Sequence, residues 1–186
     1  MNNYYNPHLY YVVPMCNYGN MPVPGHWAMS NGRDANYYTT YPNIQSNTGD
    51  VSLDQGKEPF VVNINQASRQ NNTFRTAIWT GDNLQITLMS INVGEDVGLE
   101  LHSDADQFLR IEEGQGLVQM GKDKDDLSFV RHVFDDSAIF VPAGIWHNLT
   151  NIGNIPLKLY SIYAPPEHPF GTIHNTKADD IAAGGN

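Results

Sequence analysis

The chain has 186 residues, a length suited to one domain with something left over, and is 40% hydrophobic against 16% charged, enough apolar content for a core. Twenty acidic against ten basic side chains give a formal net charge of −10, which repels nucleic acid and anionic membranes and argues against both as partners. Cys16 is the only cysteine, so an intrachain disulfide and a cysteine-based zinc site are excluded, and any metal must be held by His, carboxylate or amide groups.

Residues 1–57 carry eight of the ten tyrosines among Asn, Pro and Gly, with no hydrophobic period. This stretch reads as a flexible or loosely docked arm, with a self-associating tail as the sharper alternative. Its first twenty residues lack the basic start and apolar run of a secretory signal, and no window of the chain approaches a membrane span, so a cytoplasmic location is the default expectation.

From Pro59 onward, short β-branched and apolar runs alternate with Gly, Asn and Asp, the pattern of an all-β sandwich or barrel. Strands are expected at about 59–64, 73–80, 84–91, 97–102, 107–112, 115–120, 127–134, 138–141, 145–150 and 156–163. Thr80-Gly81-Asp82-Asn83 and Lys122-Asp123-Lys124-Asp125-Asp126 read as polar hairpin connections, and Pro142-Ala143-Gly144 as a tight turn. Residues 58–170 thus form the domain, and 171–186 a tail with a short helical turn at Lys177–Ala182 that is expected to fray.

The chemistry is concentrated between Gly94 and Gly114. Glu100 and His102 are two apart on an expected strand, so both side chains point to one face, the geometry that two ligands of one ion require. After a turn of four residues the next strand starts at Gln107, whose face is shared by Leu109 and Ile111, so a polar head enters an apolar interior and needs a partner there.

This stretch resembles the first motif of the cupin family: Gly, five residues, His-x-His, three or four residues, Glu, six residues, Gly. Here Gly94, five residues, Glu100-x-His102, four residues, Gln107, six residues and Gly114 keep that spacing, with Glu100 in place of the first His and Gln107 in place of the Glu. The second cupin motif, Gly, five residues, Pro-x-Gly-x-x-His-x-x-x-Asn, is matched from Asp136 through Pro142, Gly144 and His147 to Asn151, with only the leading Gly replaced. The chain is also similar to small bacterial single-domain cupins described as mannose-6-phosphate isomerase-like. That likeness runs through Phe74-Arg75, Trp79-Thr80-Gly81, Arg110-Ile-Glu-Glu-Gly114 and Tyr163-Ala-Pro-Pro-Glu-His168-Pro, and covers about residues 59–178.

The resemblance implies a cupin jelly-roll β-barrel, with a low-complexity N-terminal arm outside it, and one divalent metal ion held by Glu100, His102, Gln107 and His147. Mn²⁺, Fe²⁺, Ni²⁺ and Zn²⁺ all suit such donors. Three readings compete with ligation: His102 and His147 could be buried, hydrogen-bonded core histidines, Glu100 could salt-bridge a neighbour such as Arg75 or Arg110, and Gln107 could bond a metal-bound water instead of the metal. Asp104 and Asp106 rank lower because loop aspartates usually face solvent. His168 and His174 follow the last strand, where a site mouth could be capped, although surface loop histidines are commoner. His132 reads as structural or exposed.

Open coordination positions would suit a small sugar-like or chelating oxygenated ligand, with isomerase-like or dioxygenase-like chemistry and Glu100 as ligand and proton acceptor. Phosphosugar isomerisation would need an inward Lys or Arg, for which Arg110, Lys158, Lys122 and Lys124 are poorly placed. The competing class is a non-enzymatic binding or structural cupin, its arm similar in composition to those of spore-coat proteins. Cupins commonly pair barrels edge to edge, so a homodimer is expected, using Phe108 and Phe129 if they point outward.

Overall fold

The computed structural model describes residues 53–184; the arm reading for residues 1–52 lies outside them. In chain order the elements are α1 (Ile64–Gln70), β1 (Arg75–Thr80), β2 (Gln85–Ile91), β3 (Asp106–Glu113), β4 (Gln115–Gly121), β5 (Phe129–Phe134), β6 (Ala138–Val141), β7 (Trp146–Asn151), β8 (Leu157–Ala164), β9 (Ile173–His174) and α2 (Lys177–Ala182). The strands form two antiparallel sheets, one of six strands in the order β6-β3-β8-β2-β1-β9 and one of three in the order β5-β4-β7. The expected all-β barrel is therefore present, and among the described residues no helix is long and apolar enough to cross a membrane.

Three expectations need correction. The run Val61-Val62-Asn63-Ile64 belongs to no strand: the Asn63 side chain accepts from the Gln66 amide at 3.1 Å and starts α1, which packs against β2, β3 and β8. Residues 97–102 pair with β7 only at isolated points. Between the Asp96–Thr150 and Glu100–His147 bridges the chain advances four residues on one side and three on the other, which is a bulge, and Gly98 sits within it at φ 99°. The third concerns the C-terminal tail: β9 pairs with β1, Asp180 on α2 is buried, and Thr176 and Asp179 close a capping box, so the segment is tied down where fraying was expected.

Register places the inward side chains in layers. Across β3, β8 and β2, Ile111 stands beside Leu159 and Met89, then Leu109 beside Ser161 and Thr87, then Gln107 beside Tyr163 and Gln85. On the opposite sheet Leu149 faces inward one layer from His147, beside Val118 and Met120 respectively. One end of the barrel is thus filled by an apolar cluster that includes Ile91, Ile111, Leu149, Leu157 and Leu159, and the other is lined by polar groups. The polar end is expensive to bury and so requires mutual partners or a ligand. Phe108 packs on Phe140 and Tyr160 on the outer face of the large sheet, and Phe129 is exposed on β5, so both aromatics singled out in the sequence point outward.

Two motif positions are explained by backbone geometry. Asp136, standing where the motif has Gly, is the only described non-glycine residue with positive φ, at 68°; Asp tolerates that region better than most residues. Gly114 lies at φ 101°, and a Cβ there would come within 3.1 Å of Leu157 Cα. Gly114→Ala should therefore cost about 1–3 kcal/mol, the usual range for a strained non-glycine backbone, read as a lowered midpoint in urea unfolding; an unchanged midpoint would mean that the β3–β4 connection relaxes freely.

Candidate metal centre

The bulge at Gly98 decides where Glu100 points. Its amide donates to the His147 carbonyl at 2.9 Å and its carbonyl accepts from the His147 amide at 3.0 Å, so the two residues stand directly opposite each other. Two residues on, the His102 carbonyl accepts from the Gly144 amide at 2.8 Å, which anchors the segment against the Pro142-Ala143-Gly144 turn. Glu100, His102 and His147 are all buried, and one ligand atom from each lies within 4.8 Å of the others.

The roles of the individual atoms are set by their other partners. His102 Nδ1 lies 3.1 Å from Glu167 Oε1, and His147 Nδ1 lies 3.1 Å from the Ile145 carbonyl; with the proton on Nδ1 in each ring, each Nε2 keeps a free lone pair. Both Nε2 atoms are buried without a hydrogen-bond partner, and each is 3.7 Å from Glu100 Oε2. Gln107 donates through Nε2 to Ser161 Oγ at 3.0 Å and leaves its Oε1 buried and unpartnered. An unpaired buried polar group costs about 1–3 kcal/mol, so three such atoms at one end of a barrel fit a donor set for a cation. Asp104 and Asp106 are exposed, with Asp106 accepting from the Ala143 amide, and are not part of the cluster.

The other Glu100 oxygen is held by a buried cation. Arg75 Nη2 donates to Glu100 Oε1 at 3.3 Å, Nη1 donates to the Tyr163 hydroxyl at 2.6 Å, and Nε donates to Asp180 Oδ1 at 2.8 Å. Burial opposes the charge on Arg75, but Tyr163, Glu100 and Asp180 more than offset it, and the guanidinium stays protonated. Asp180, whose burial favours the neutral form, is nevertheless held below the usual carboxylate range by Arg75 and His174. For His102, burial works against the proton and Glu100 and Glu167 outweigh it, raising its pKa; for His147 burial prevails and lowers it.

A cleft of about 220 Å³ runs outward from Glu100 and His102 between Glu167, His168, Thr172 and His174. Both histidines beyond the last strand therefore border the site. His168 is fixed by Gln85, which is fully buried and bonds its backbone twice, donating to the carbonyl at 2.8 Å and accepting from the amide at 2.9 Å. The His168 ring stands edge-on to Tyr163 at 5.0 Å with Nε2 buried and unpartnered, and burial, aided by the Arg75 charge, pushes its pKa down to about 3. Sequence reading raised the Arg75–Glu100 pair only as a rival to ligation, although the two oxygens of Glu100 allow both. Asp180 carried no signal, since it lies 105 residues from its partner on a helix of six residues.

Residues 87–163 match the sequence model of the cupin domain. The protein YrkC of Bacillus subtilis is 56% identical over 97% of this chain and 98% of its own length. A crystal structure of BH2720 from Bacillus halodurans is 64% identical, covers 69% of this chain and 98% of its own, and superposes with a TM-score of 0.69. A Klebsiella pneumoniae protein with a double-stranded β-helix domain is 16% identical, covers 64% of this chain and all of its own, and has a TM-score of 0.50, a likeness of fold alone.

Replacing the Gln85 clamp tests whether the cleft wall depends on it. Gln85→Ala strands the His168 amide and carbonyl, and should lower stability by about 1–3 kcal/mol for the unpaired groups, measured by chemical denaturation; no loss would mean that water satisfies both.

Proposed function

The chain belongs to the cupin family, and from that premise we propose that it is a metal-dependent protein acting on a small, neutral, hydroxyl-bearing or chelating molecule. Glu100, His102, His147 and Gln107 would hold one divalent ion. The observation that carries the reading is the convergence of two unpartnered imidazole nitrogens on one free oxygen of Glu100. One carboxylate, one amide and two imidazoles form a harder set than three imidazoles, suited to Mn²⁺, Fe²⁺ or Ni²⁺ as well as Zn²⁺.

The ion would polarise a ligand oxygen as a Lewis acid. The chain's own residues supply the rest. Arg75 ties Oε1, so Oε2 is the atom that would be available to ligate and, were a ligand to displace it, to accept a proton from carbon. Glu167 and His168 border the cleft where ligand hydroxyls would sit. No lysine or arginine is among the described residues lining that cleft. Lys158 is bound to the Asn71 carbonyl and Asn72, and Arg110 to Glu112 and Asp136. These attachments favour a neutral ligand over a phosphate ester and weigh against the phosphosugar isomerase subtype. A cupin that binds without turnover is the second reading, supported by the tyrosine-rich composition of residues 1–57.

Purified from metal-replete growth, the protein should carry close to one divalent ion per chain by elemental analysis. His102→Ala or His147→Ala should remove it while circular dichroism keeps the β signature, and Gln107→Ala should weaken binding less because its ligand is neutral. Equal losses for all three would mean Gln107 is a full ligand. Glu100→Gln should retain some metal and lose turnover when mannose 6-phosphate, unphosphorylated sugars and small diketones are compared on the Mn²⁺, Fe²⁺ and Ni²⁺ forms. Efficient isomerisation of the phosphosugar alone would overturn the neutral-ligand preference, and metal without turnover of any candidate would favour the binding reading.

A further inference from the structure

We propose that the C-terminal segment, residues 167–182, is the positioning element of the metal centre, and that Asp180 and Glu167 are positioning residues for Glu100 and His102. The inference rests on the metal reading above and goes beyond it by assigning metal affinity to residues that touch no ligand atom facing the ion.

Two separate threads run from this segment to two of the three clustered residues. The first starts on α2. Asp180 is 1% exposed and accepts from Arg75 Nε at 2.8 Å, while His174 Nδ1 lies 2.5 Å from the same oxygen. Arg75 is equally buried and passes the constraint to Glu100 Oε1. β9 reinforces this thread, because His174 is the register partner of Arg75 on β1. The guanidinium is a rigid planar fork, so holding Nε and Nη1 fixes where Nη2 points and hence which way the Glu100 carboxylate turns. The second thread is Glu167, which takes the Nδ1 side of His102 and leaves Nε2 to the cluster.

Arg75 is the shared partner of Glu100 and Asp180. Without Asp180, Arg75 would be free to draw both oxygens of Glu100 toward itself and away from the histidines. α2 is short and peripheral to the barrel core, yet it buries an ionised carboxylate, a costly arrangement that cap geometry alone does not require.

The test uses the full-length protein, stripped with chelator and titrated with Co²⁺, whose visible spectrum reports coordination. Asp180→Asn keeps the shape and removes the charge; Glu167→Gln, at a partly exposed site, guards against a fold defect in the first variant. Asp82→Asn, in a surface pair with Lys57, is the control. Each positioning variant should bind Co²⁺ about 10–100-fold more weakly with an altered spectrum, while the control matches wild type. If both variants bind within twofold of wild type with an unchanged spectrum, whatever happens to their melting temperature, the segment is only structural and the inference is overturned. If wild type itself takes up no divalent ion, the metal reading fails and this inference falls with it.

Discussion

The fully buried guanidinium of Arg75 is the group around which the polar end of this barrel is arranged. A cation out of water is tolerated only when its donors are matched, and here they reach Glu100, Asp180 and the Tyr163 hydroxyl. Each partner comes from a different part of the chain: the bulged segment before β3, the C-terminal helix and the end of β8. The Arg75–Glu100 pair therefore ties the segment bridged to β7 of the small sheet to β1 of the large one. It also divides the labour within one carboxylate, since the oxygen committed to Arg75 leaves the other to face His102 and His147.

Much of this was legible before any coordinates. Alternation along β3 correctly placed Gln107, Leu109 and Ile111 on one inward face, and the two spaced motifs brought Glu100, His102 and His147 into one cluster. Both depend on local periodicity and on turn residues, which sequence displays directly. What escaped was of two kinds. Val61, Val62 and Ile64 looked like a strand because an apolar run does not reveal that Asn63 will cap a helix. The C-terminal segment looked like a loose tail because small and acidic residues say nothing of a buried arginine 105 positions earlier. Long-range ion pairs leave no period behind, so they become visible only when the register is known.

Departures from the family pattern follow the physics of the positions they occupy. Asp136 fills a glycine position with one of the few side chains that accept positive φ. Glu100 fills a histidine position and thereby gains a second oxygen, which a histidine could not have offered to Arg75 while still facing the centre.

The layered interior has a consequence for depth. The successive layers of Gln107 with Tyr163, Ser161 with Thr87, and Met89 with Leu159 and Ile111 are all buried, so the barrel axis is closed by its own side chains. The open space lies outward instead, between Glu167, His168, Thr172 and His174, so a guest is met at the rim and only its leading edge reaches Glu100 and His102.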